Sequence, residues 1–253
     1  MRLRRLASLL VASMLVLPAC SGGGGTNGTL TVLGAASLAD AFQVIGKDFQ
    51  QQHPGVSVRF SFGPSDGLAG QIQGGAPADV FASASERWMD AVAGTPGVSD
   101  RADFAKNRLV VVVPASDPAG ITSVDDLGDS GVKLVLAAEG VPAGDYAREL
   151  LDNAGISGRA LANVVSNEID VRGVLQKVAS GDADAGIVYV TDVTPDVAAK
   201  VTAIPIPDDV NVIATYPIAV VDGAAAGDLA TQFVRYVLGP GQLVLRWAGF
   251  LPA

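Results

Sequence analysis

The sequence predicts an α/β fold in two lobes, each a mainly parallel sheet flanked by helices, with a ligand in the crevice between the lobes. From Thr29 onward, short apolar runs alternate with amphipathic segments, a pattern typical of α/β proteins. The number of predicted strands is large for one sheet, which favours two smaller lobes. The chain has 253 residues, 49% of them hydrophobic, enough to bury such cores.

The first twenty residues are predicted to lie outside this fold. Three arginines precede an apolar run at 6–17 that ends in Leu17-Pro18-Ala19-Cys20. This layout is typical of an export signal over residues 1–19. Its end is similar to a bacterial lipobox, whose cysteine is lipidated and becomes the new N-terminus. The alternative is a secretory signal with an incidental cysteine. The Gly-rich residues 20–28 predict a flexible tether, so we expect lipidated Cys20 to anchor the protein at the extracytoplasmic face of a bacterial cell membrane.

Each element is predicted from its hydrophobic period. Continuous or alternating apolar runs predict strands, and apolar residues three and four apart predict helices. In the first helix, Leu38, Phe42 and Phe49 fall on one face. In chain order, strands are predicted at 30–35, 56–62, 79–82, 109–113, 133–137, near 164, at 185–190 and at 212–221. Helices are predicted at 37–52, 66–73, 85–93, 142–153, 170–179, 226–237 and 240–247.

Two local signals refine these predictions. Residues 109–113 are a leucine followed by four valines, and such a continuous apolar run is typical of a buried parallel strand. Gly74-Gly75 ends the short helix before it, since glycine is the usual residue just past a helix end.

The chain is predicted to cross between the lobes twice, near Asn107-Arg108 and near Tyr216-Pro217. Lobe 1 then comprises residues 29–107 and 217–253, from both ends of the mature chain, and lobe 2 comprises residues 108–216. Ligands of open α/β sheets bind in crevices beyond the carboxyl ends of the strands. No segment after the signal holds eighteen consecutive apolar residues, so lipid is the only membrane attachment we expect.

The composition excludes several classes of function. One Cys and one His rule out a disulfide framework, a multi-cysteine zinc site and a histidine-rich metal centre. The formal net charge of −9 argues against nucleic acid as a partner. The carboxylates are scattered, and no spacing suggests an EF-hand loop or a two-metal site.

Four strand-to-helix junctions are candidate anion sites. Each places small or hydroxylated residues at a helix start, where backbone N–H groups lack intrahelical acceptors and the helix dipole is positive. The alternative for each junction taken singly is plain helix capping. Their convergence at one face of the predicted sheets favours an anion site. The junctions are 35–38, 63–67, 140–144 and 169–172.

The segment Gly63-Pro64-Ser65-Asp66-Gly67 also matches the nucleophile elbow of serine hydrolases. Such an enzyme needs a base for the serine proton, and hydrolases of that fold place the histidine after the serine. Here the one histidine, His53, precedes Ser65. A serine hydrolase is therefore a distant alternative, and we expect a protein that is not an enzyme.

Five short segments in order, and a sixth beyond them, carry a resemblance to a known family. They are GAASL at 34–38, GAPADVF at 75–81, VPAGDYA at 141–147, DVRG at 170–173, GIVY at 186–189 and YPIAV at 216–220. In this order they resemble periplasmic molybdate-binding proteins of the type II solute-binding fold, the substrate-binding lipoproteins of molybdate ABC importers. The likeness covers nearly the whole mature chain.

The resemblance implies which residues hold the ligand. Ser37 and Ser65 would offer hydroxyl and backbone N–H groups from lobe 1. Ala143 and Val171 would offer backbone N–H groups from lobe 2, and Tyr189 its hydroxyl. The ligand would be molybdate or tungstate, with molybdenum present only within the oxyanion and no cofactor. The partner would be the permease of the importer, and we expect a monomer.

Three points stay open at the level of sequence. Relatives often have a serine-rich segment at the second junction, where this chain has Asp66 next to Ser65. We expect Asp66 to point outward, where a first-turn carboxylate complements the helix dipole. The oxyanion could instead be sulfate or phosphate. A purely structural envelope lipoprotein is the remaining alternative, and it would need no convergent donors.

Overall fold

The computed structural model describes residues 28–253, in which strands and helices alternate. The strands are β1 (Gly28–Ala35), β2 (Val56–Gly63), β3 (Val80–Ala82), β4 (Val98–Pro114), β5 (Leu134–Ala137), β6 (Val164–Glu168), β7 (Ala185–Tyr189), β8 (Val201–Pro205) and β9 (Ile213–Val221). The α-helices are α1 (Ala39–Gln52), α2 (Ser65–Gln73), α3 (Glu86–Gly94), α4 (Pro142–Asn153), α5 (Ser157–Ala162), α6 (Val171–Ser180), α7 (Pro195–Ala198), α8 (Gly227–Leu238) and α9 (Gly241–Trp247). A 3-10 turn, Ala36–Leu38, links β1 to α1.

Two groups of strands share the long strand β4. In the first group the order is β2-β1-β3-β9-β4, with β1 parallel to β2 and β3, and β9 antiparallel to β3 and β4. In the second group β4 pairs antiparallel with β7 and β8, and β5 is parallel to β7 and β6. The part of the molecule built on the first group is named lobe 1, and the part built on the second is lobe 2.

The lobes are joined where β4 changes partners. Up to Arg108, β4 pairs with β9, and from Leu109 onward it pairs with β7 and β8. β9 begins at the same level, with Ile213 opposite Arg108, so residues 213–216 lie beside the lobe 1 part of β4. The boundaries at 107/108 and 216/217 stay predictions.

The α/β class is confirmed, but the prediction of mainly parallel sheets is wrong. Four of the eight strand pairings are antiparallel, and the apolar run at 109–113 lies in one of these antiparallel strands. A continuous apolar run reports burial on both faces, and a central antiparallel strand is buried in the same way. Strand direction is therefore not encoded in that run.

Helix α1 packs on α8 through an aromatic core. Phe42 and Phe49 are fully buried, and both meet Phe233 of α8 edge to face, with ring centroids 6.2 and 5.3 Å apart. Such pairs add to the hydrophobic stabilisation from burial. This packing fixes α1 on α8, and the 3-10 turn Ala36–Leu38 leads directly into α1.

Among the strands and α-helices, the prediction missed four stretches. These are α5, α7, β8 and the first half of β4. α5 and α7 have six and four residues, too few to show a helical period. Residues 98–103 of β4 are mostly exposed and include Asp100, Arg101 and Asp103, so their pairing with β9 carries no hydrophobic signal.

The predicted signal peptide and the lipidated Cys20 lie outside the described residues. So does the predicted tether except for its last residue, Gly28, which already belongs to β1. Within residues 28–253, no helix is both long enough and apolar enough to cross a membrane.

Candidate functional site

A small cavity lies where the ends of strands from both lobes meet. It holds about 230 Å³ of empty space, its open mouth included. All five predicted ligand-binding residues line it: Ser37, Ser65, Ala143, Val171 and Tyr189. The other lining residues are Ala35, Ala36, Gly63, Pro64, Ala84, Val141, Pro142 and Asp170.

Three α-helices and one 3-10 turn begin at this cavity. Ser65 is the first residue of α2, Val171 the first of α6 and Ala143 the second of α4. Ser37 lies in the 3-10 turn before α1. N–H groups in a first helical turn have no intrahelical acceptor, and the positive end of the helix dipole lies there. Donors from both lobes therefore converge on one small space.

The Ser37 hydroxyl is held by Tyr216 of β9. Its Oγ lies 2.9 Å from the Tyr216 hydroxyl, in a buried pair. Burial raises the pKa of Tyr216 above its usual range, although the bond to Ser37 opposes this, so the phenol keeps its proton. When Tyr216 donates to Ser37 Oγ, the Ser37 proton is free for an acceptor in the cavity.

The Ser65 hydroxyl is held in a similar way by the loop after β3. Ser65 Oγ accepts a hydrogen bond from the Ala84 N–H at 3.0 Å, which leaves its own proton available. The loop is braced by Ser83, whose Oγ donates to the Ser85 carbonyl at 2.7 Å and accepts from the Ser85 N–H at 3.1 Å. Ser65, and Ser37 when it accepts from Tyr216, can therefore donate towards the cavity.

Tyr189 ends β7 with a buried ring and a hydroxyl that has no hydrogen-bond partner among residues 28–253. Burial, and then the nearby Tyr216, raise the pKa of Tyr189 well above its usual range, so the hydroxyl remains neutral. An unpaired buried hydroxyl costs ~1–3 kcal/mol. An acceptor atom bound in the cavity would remove that cost.

Close packing of α4 on β5 brings Ala143 to the cavity. A Cβ atom at Gly144 would overlap the carbonyl oxygens of Ala137 and Ala138, so only glycine permits this approach. The loop before the helix is held by Asp145, whose Oδ1 accepts from the Gly140 N–H at 2.7 Å.

The donors around the cavity are neutral. Within the described part of the chain, no Lys or Arg side chain lines it. Asp170 does line it, but this carboxylate accepts from the Gly173 N–H at 2.9 Å and so caps its own helix, α6. Asp66 is not among the lining residues, but it is half-buried and its Oδ1 is buried without a hydrogen-bond partner among residues 28–253, so its outward orientation stays a prediction. Residues 28–253 contain no group of three or more His, Cys, Asp and Glu residues placed to hold a metal ion.

The buried carboxylate of Asp192 is hydrogen-bonded to the backbone of Tyr189. Asp192 Oδ2 accepts a hydrogen bond from the Tyr189 N–H at 2.9 Å. Burial raises the pKa of Asp192 to about 7, against the opposing effects of this hydrogen bond and of Arg172. Asp192 thereby fixes the turn that follows β7 and the position of the Tyr189 ring.

Side chains also connect the two lobes beside the cavity. Arg172 of lobe 2 donates through Nε to the Ala36 carbonyl at 3.0 Å and through Nη2 to Asp40 Oδ2 at 2.7 Å. Near the start of α4, Trp88 of lobe 1 donates through Nε1 to the Gly140 carbonyl at 2.8 Å. The lobes are thus held together at two places around the cavity.

The sequence over residues 30–251 matches the family described as bacterial extracellular solute-binding protein. The chain belongs to this family.

Two of the proteins similar to this chain are named for binding an oxyanion. The molybdate-binding protein ModA of Mycobacterium tuberculosis is 40% identical over 263 residues, covering 99% of both chains. A solved structure from Clostridium difficile, provisionally assigned as the substrate-binding domain of a molybdenum ABC transporter, is 30% identical with a TM-score of 0.68, covering 89% of this chain and 99% of that one. The sulfate-binding protein SubI of M. tuberculosis has a TM-score of 0.78 at 19% identity, covering 89% and 87%. These likenesses confirm the predicted family and its type II fold.

The hydrolase alternative has no histidine base in this solute-binding protein. His53 Nδ1 lies 2.8 Å from the Phe49 carbonyl, and its ring stacks on Phe49 at 4.0 Å. Ser65 Oγ instead accepts a hydrogen bond from the Ala84 N–H. The relatives, too, are named as binding proteins of solutes rather than as enzymes.

Sequence reasoning missed two residues of this solute-binding site. Ala84 follows β3 and precedes α3, so it belongs to a fifth strand-to-helix junction that the predicted strand at 79–82 and helix at 85–93 already implied. The sequence places Tyr216 at a predicted lobe crossing and in a family-like segment, but it predicts no role for Tyr216 in the site. Its hydrogen bond to Ser37 depends on the pairing of β9 with β4, and no local sequence pattern predicts that pairing.

Proposed function

We propose that this protein binds molybdate, and tungstate with it, at the cavity between the lobes. The observation that carries the proposal is the convergence of Ser37, Ser65, Ala143, Val171 and Tyr189 on one small cavity, with the Tyr189 hydroxyl unpaired within residues 28–253. The relatives named for molybdate support the choice of ligand. In this proposal the five residues hold the oxyanion through hydroxyl and backbone N–H groups.

Neutral donors are sufficient for such a ligand. A buried dianion is costly unless each oxygen is hydrogen-bonded. Helix starts supply oriented N–H groups and a partial positive charge without a titratable counter-ion. The negative charge of the whole protein opposes this only weakly, because exposed charges are screened beyond about 8 Å at physiological ionic strength.

Sulfate and phosphate are the competing oxyanions. Sulfate has shorter bonds to oxygen than molybdate, so it would leave some donors of a fixed cavity unpaired. Phosphate carries a proton near neutral pH and requires an acceptor. Within residues 28–253 the carboxylate that lines the cavity is Asp170, and its Oδ1 already accepts from the Gly173 N–H. Its second oxygen can still accept, so size favours molybdate over sulfate, and the expected preference over phosphate rests on the relatives named for molybdate.

Competition calorimetry at neutral pH tests the ligand. We expect molybdate and tungstate to bind with similar affinity. Sulfate should bind on the order of a hundred- to ten-thousandfold more weakly, because each unpaired buried donor costs ~1–3 kcal/mol and two such losses are expected. Sulfate or phosphate binding as tightly as molybdate would overturn the assignment. A protein without any oxyanion affinity would instead be the structural lipoprotein.

The bound anion would then be delivered to the permease of an ABC importer. We propose that a monomer does this at the extracytoplasmic face of the cell membrane, held there by lipid on Cys20. The support is the lipobox-like sequence and the family, whose members are extracellular. Cys20→Ser should release the protein from the membrane fraction of producing cells. Retention of the variant in membranes after a high-salt wash would contradict the anchor.

A further inference from the structure

We infer that Arg172 sets the width of the anion cavity by fixing the spacing between donors on its two walls. This rests on the proposed function. Arg172 follows Val171, whose N–H is a proposed donor of lobe 2. The carbonyl that Arg172 Nε reaches, at 3.0 Å, belongs to Ala36, the residue before the lobe 1 donor Ser37. One guanidinium group therefore spans the cleft between the residues adjacent to two donors.

The two hydrogen bonds that Arg172 makes across the cleft differ in strength. The ion pair with Asp40 is exposed, since 45% of the Arg172 side chain and 60% of the Asp40 side chain are accessible, and such pairs contribute little. The bond from Nε to the Ala36 carbonyl is partly buried and has a charged donor, which makes it the stronger of the two. The planar guanidinium also holds a fixed geometry that a lysine lacks.

A second contact limits movement near the start of α4. Trp88 Nε1 donates to the Gly140 carbonyl at 2.8 Å, and Arg87 lies 3.2 Å from Asp145. With both sides held, the lobes cannot close further on a smaller anion. Loss of Arg172 frees one side, so the lobes can adjust to sulfate while the spacing suited to molybdate is lost. Arg172 thus acts as a positioning residue for selectivity.

The test compares Arg172→Lys and Arg172→Gln with the wild-type protein by calorimetry with molybdate and sulfate. Each variant should lower the ratio of molybdate to sulfate affinity about tenfold, the effect of one lost hydrogen bond with a charged donor. Arg101→Gln is the matched control, because Arg101 pairs with Asp90 within lobe 1, and it should keep the wild-type ratio. Asp40→Asn should change the ratio less than Arg172→Gln.

Two results of this titration would overturn the inference. A wild-type ratio in Arg172→Lys would mean that only the positive charge near the anion matters. An equal loss of affinity for both anions would mean that Arg172 stabilises closure without setting the width.

A measurement without any anion separates this inference from the proposed function. Spin labels at Val44→Cys on α1 and Val165→Cys on β6, both exposed, report the distance between the lobes in a Cys20→Ser background. Arg172→Gln should broaden that distance distribution, and an unchanged distribution overturns the role of Arg172. If the wild-type protein binds neither molybdate nor tungstate, the proposed function fails, and the distance distribution alone decides the role of Arg172.

Discussion

The hydroxyl of Tyr216 lies 2.9 Å from Oγ of Ser37, although 179 positions separate the two residues. Tyr216 belongs to β9, one of the two neighbouring strands at the junction of the lobes, and Ser37 belongs to the turn after β1. The Tyr216 ring meets that of Tyr189 edge to face at 5.9 Å. The strand that returns from lobe 2 thus supports two proposed donors, one from each lobe.

Tyr216→Phe should weaken molybdate binding about two- to tenfold, the effect of one ordinary hydrogen bond. Phenylalanine keeps the buried ring but leaves Ser37 Oγ without its partner, so the Ser37 hydroxyl loses its fixed direction. Calorimetry measures the change. Tyr236→Phe is the control, because its hydroxyl accepts from Gln52 at an exposed position.

A double-mutant cycle makes this prediction specific. In a Ser37→Ala background, Tyr216→Phe should have little further effect, since the hydroxyl that it orients is gone. Additive losses in the cycle would show that Tyr216 acts on binding by another route than Ser37.

Tyr189→Phe should change affinity and stability in opposite directions. The variant lacks a hydrogen bond to a charged ligand, so the molybdate affinity should fall about ten- to a hundredfold. The ligand-free protein should melt at the same temperature or higher, because an unpaired buried hydroxyl has been removed. Calorimetry and thermal unfolding measure both effects. An unchanged dissociation constant would take Tyr189 out of the site.

Local chemistry explains why much of the site could be predicted. Helix α4 has the bounds predicted for it, 142–153, because its apolar period and its proline at the start are both local signals. Ser65 lies between a strand and a helix, so the positions of those two elements alone place it at the edge of the sheet. Such junctions can therefore be predicted from the sequence.

Contacts between distant segments could not be predicted in this way. Arg172 and Ala36 are 136 positions apart, and their hydrogen bond exists only because the lobes face each other. The direction of β4 has the same origin, since its partners β7, β8 and β9 come later in the chain. Hydrophobic period reports which residues are buried, but it does not report which segments they meet.

Ser65→Ala should weaken molybdate binding more than Asp66→Asn does, because Ser65 is a proposed donor and Asp66 only its neighbour in the chain. Ser65 lines the cavity, and its Oγ is held by the Ala84 N–H, so its removal should lower molybdate affinity by about tenfold or more. Asp66 does not line the cavity, and its replacement should change affinity less than tenfold. Titration of both variants with molybdate measures the difference. A large gain of affinity in Asp66→Asn would mean that the Asp66 charge repels the anion.

Asp192 should make the stability of the ligand-free protein fall as the pH rises towards neutrality. Burial raises the pKa of Asp192 from 3.8 to about 7, so between these pH values the folded protein holds a proton that the unfolded chain has lost. The free energy of unfolding therefore decreases across that range and no longer changes for this reason above it. Arg172 opposes the raised pKa, while Asp40 and Asp170 contribute to it.

Asp192→Asn removes this ionisation while an amide oxygen remains to accept from the Tyr189 N–H. Melting temperatures measured from pH 4 to 8 should therefore decline less steeply in Asp192→Asn than in the wild-type protein, with the gap between the two curves growing up to about pH 7 and constant above it. Asp90→Asn, at an exposed carboxylate paired with Arg101, serves as the control and should follow the wild-type slope. Equal slopes for Asp192→Asn and wild type would assign the pH dependence to other groups, because only the ionisation of a buried Asp192 predicts a difference between those two curves.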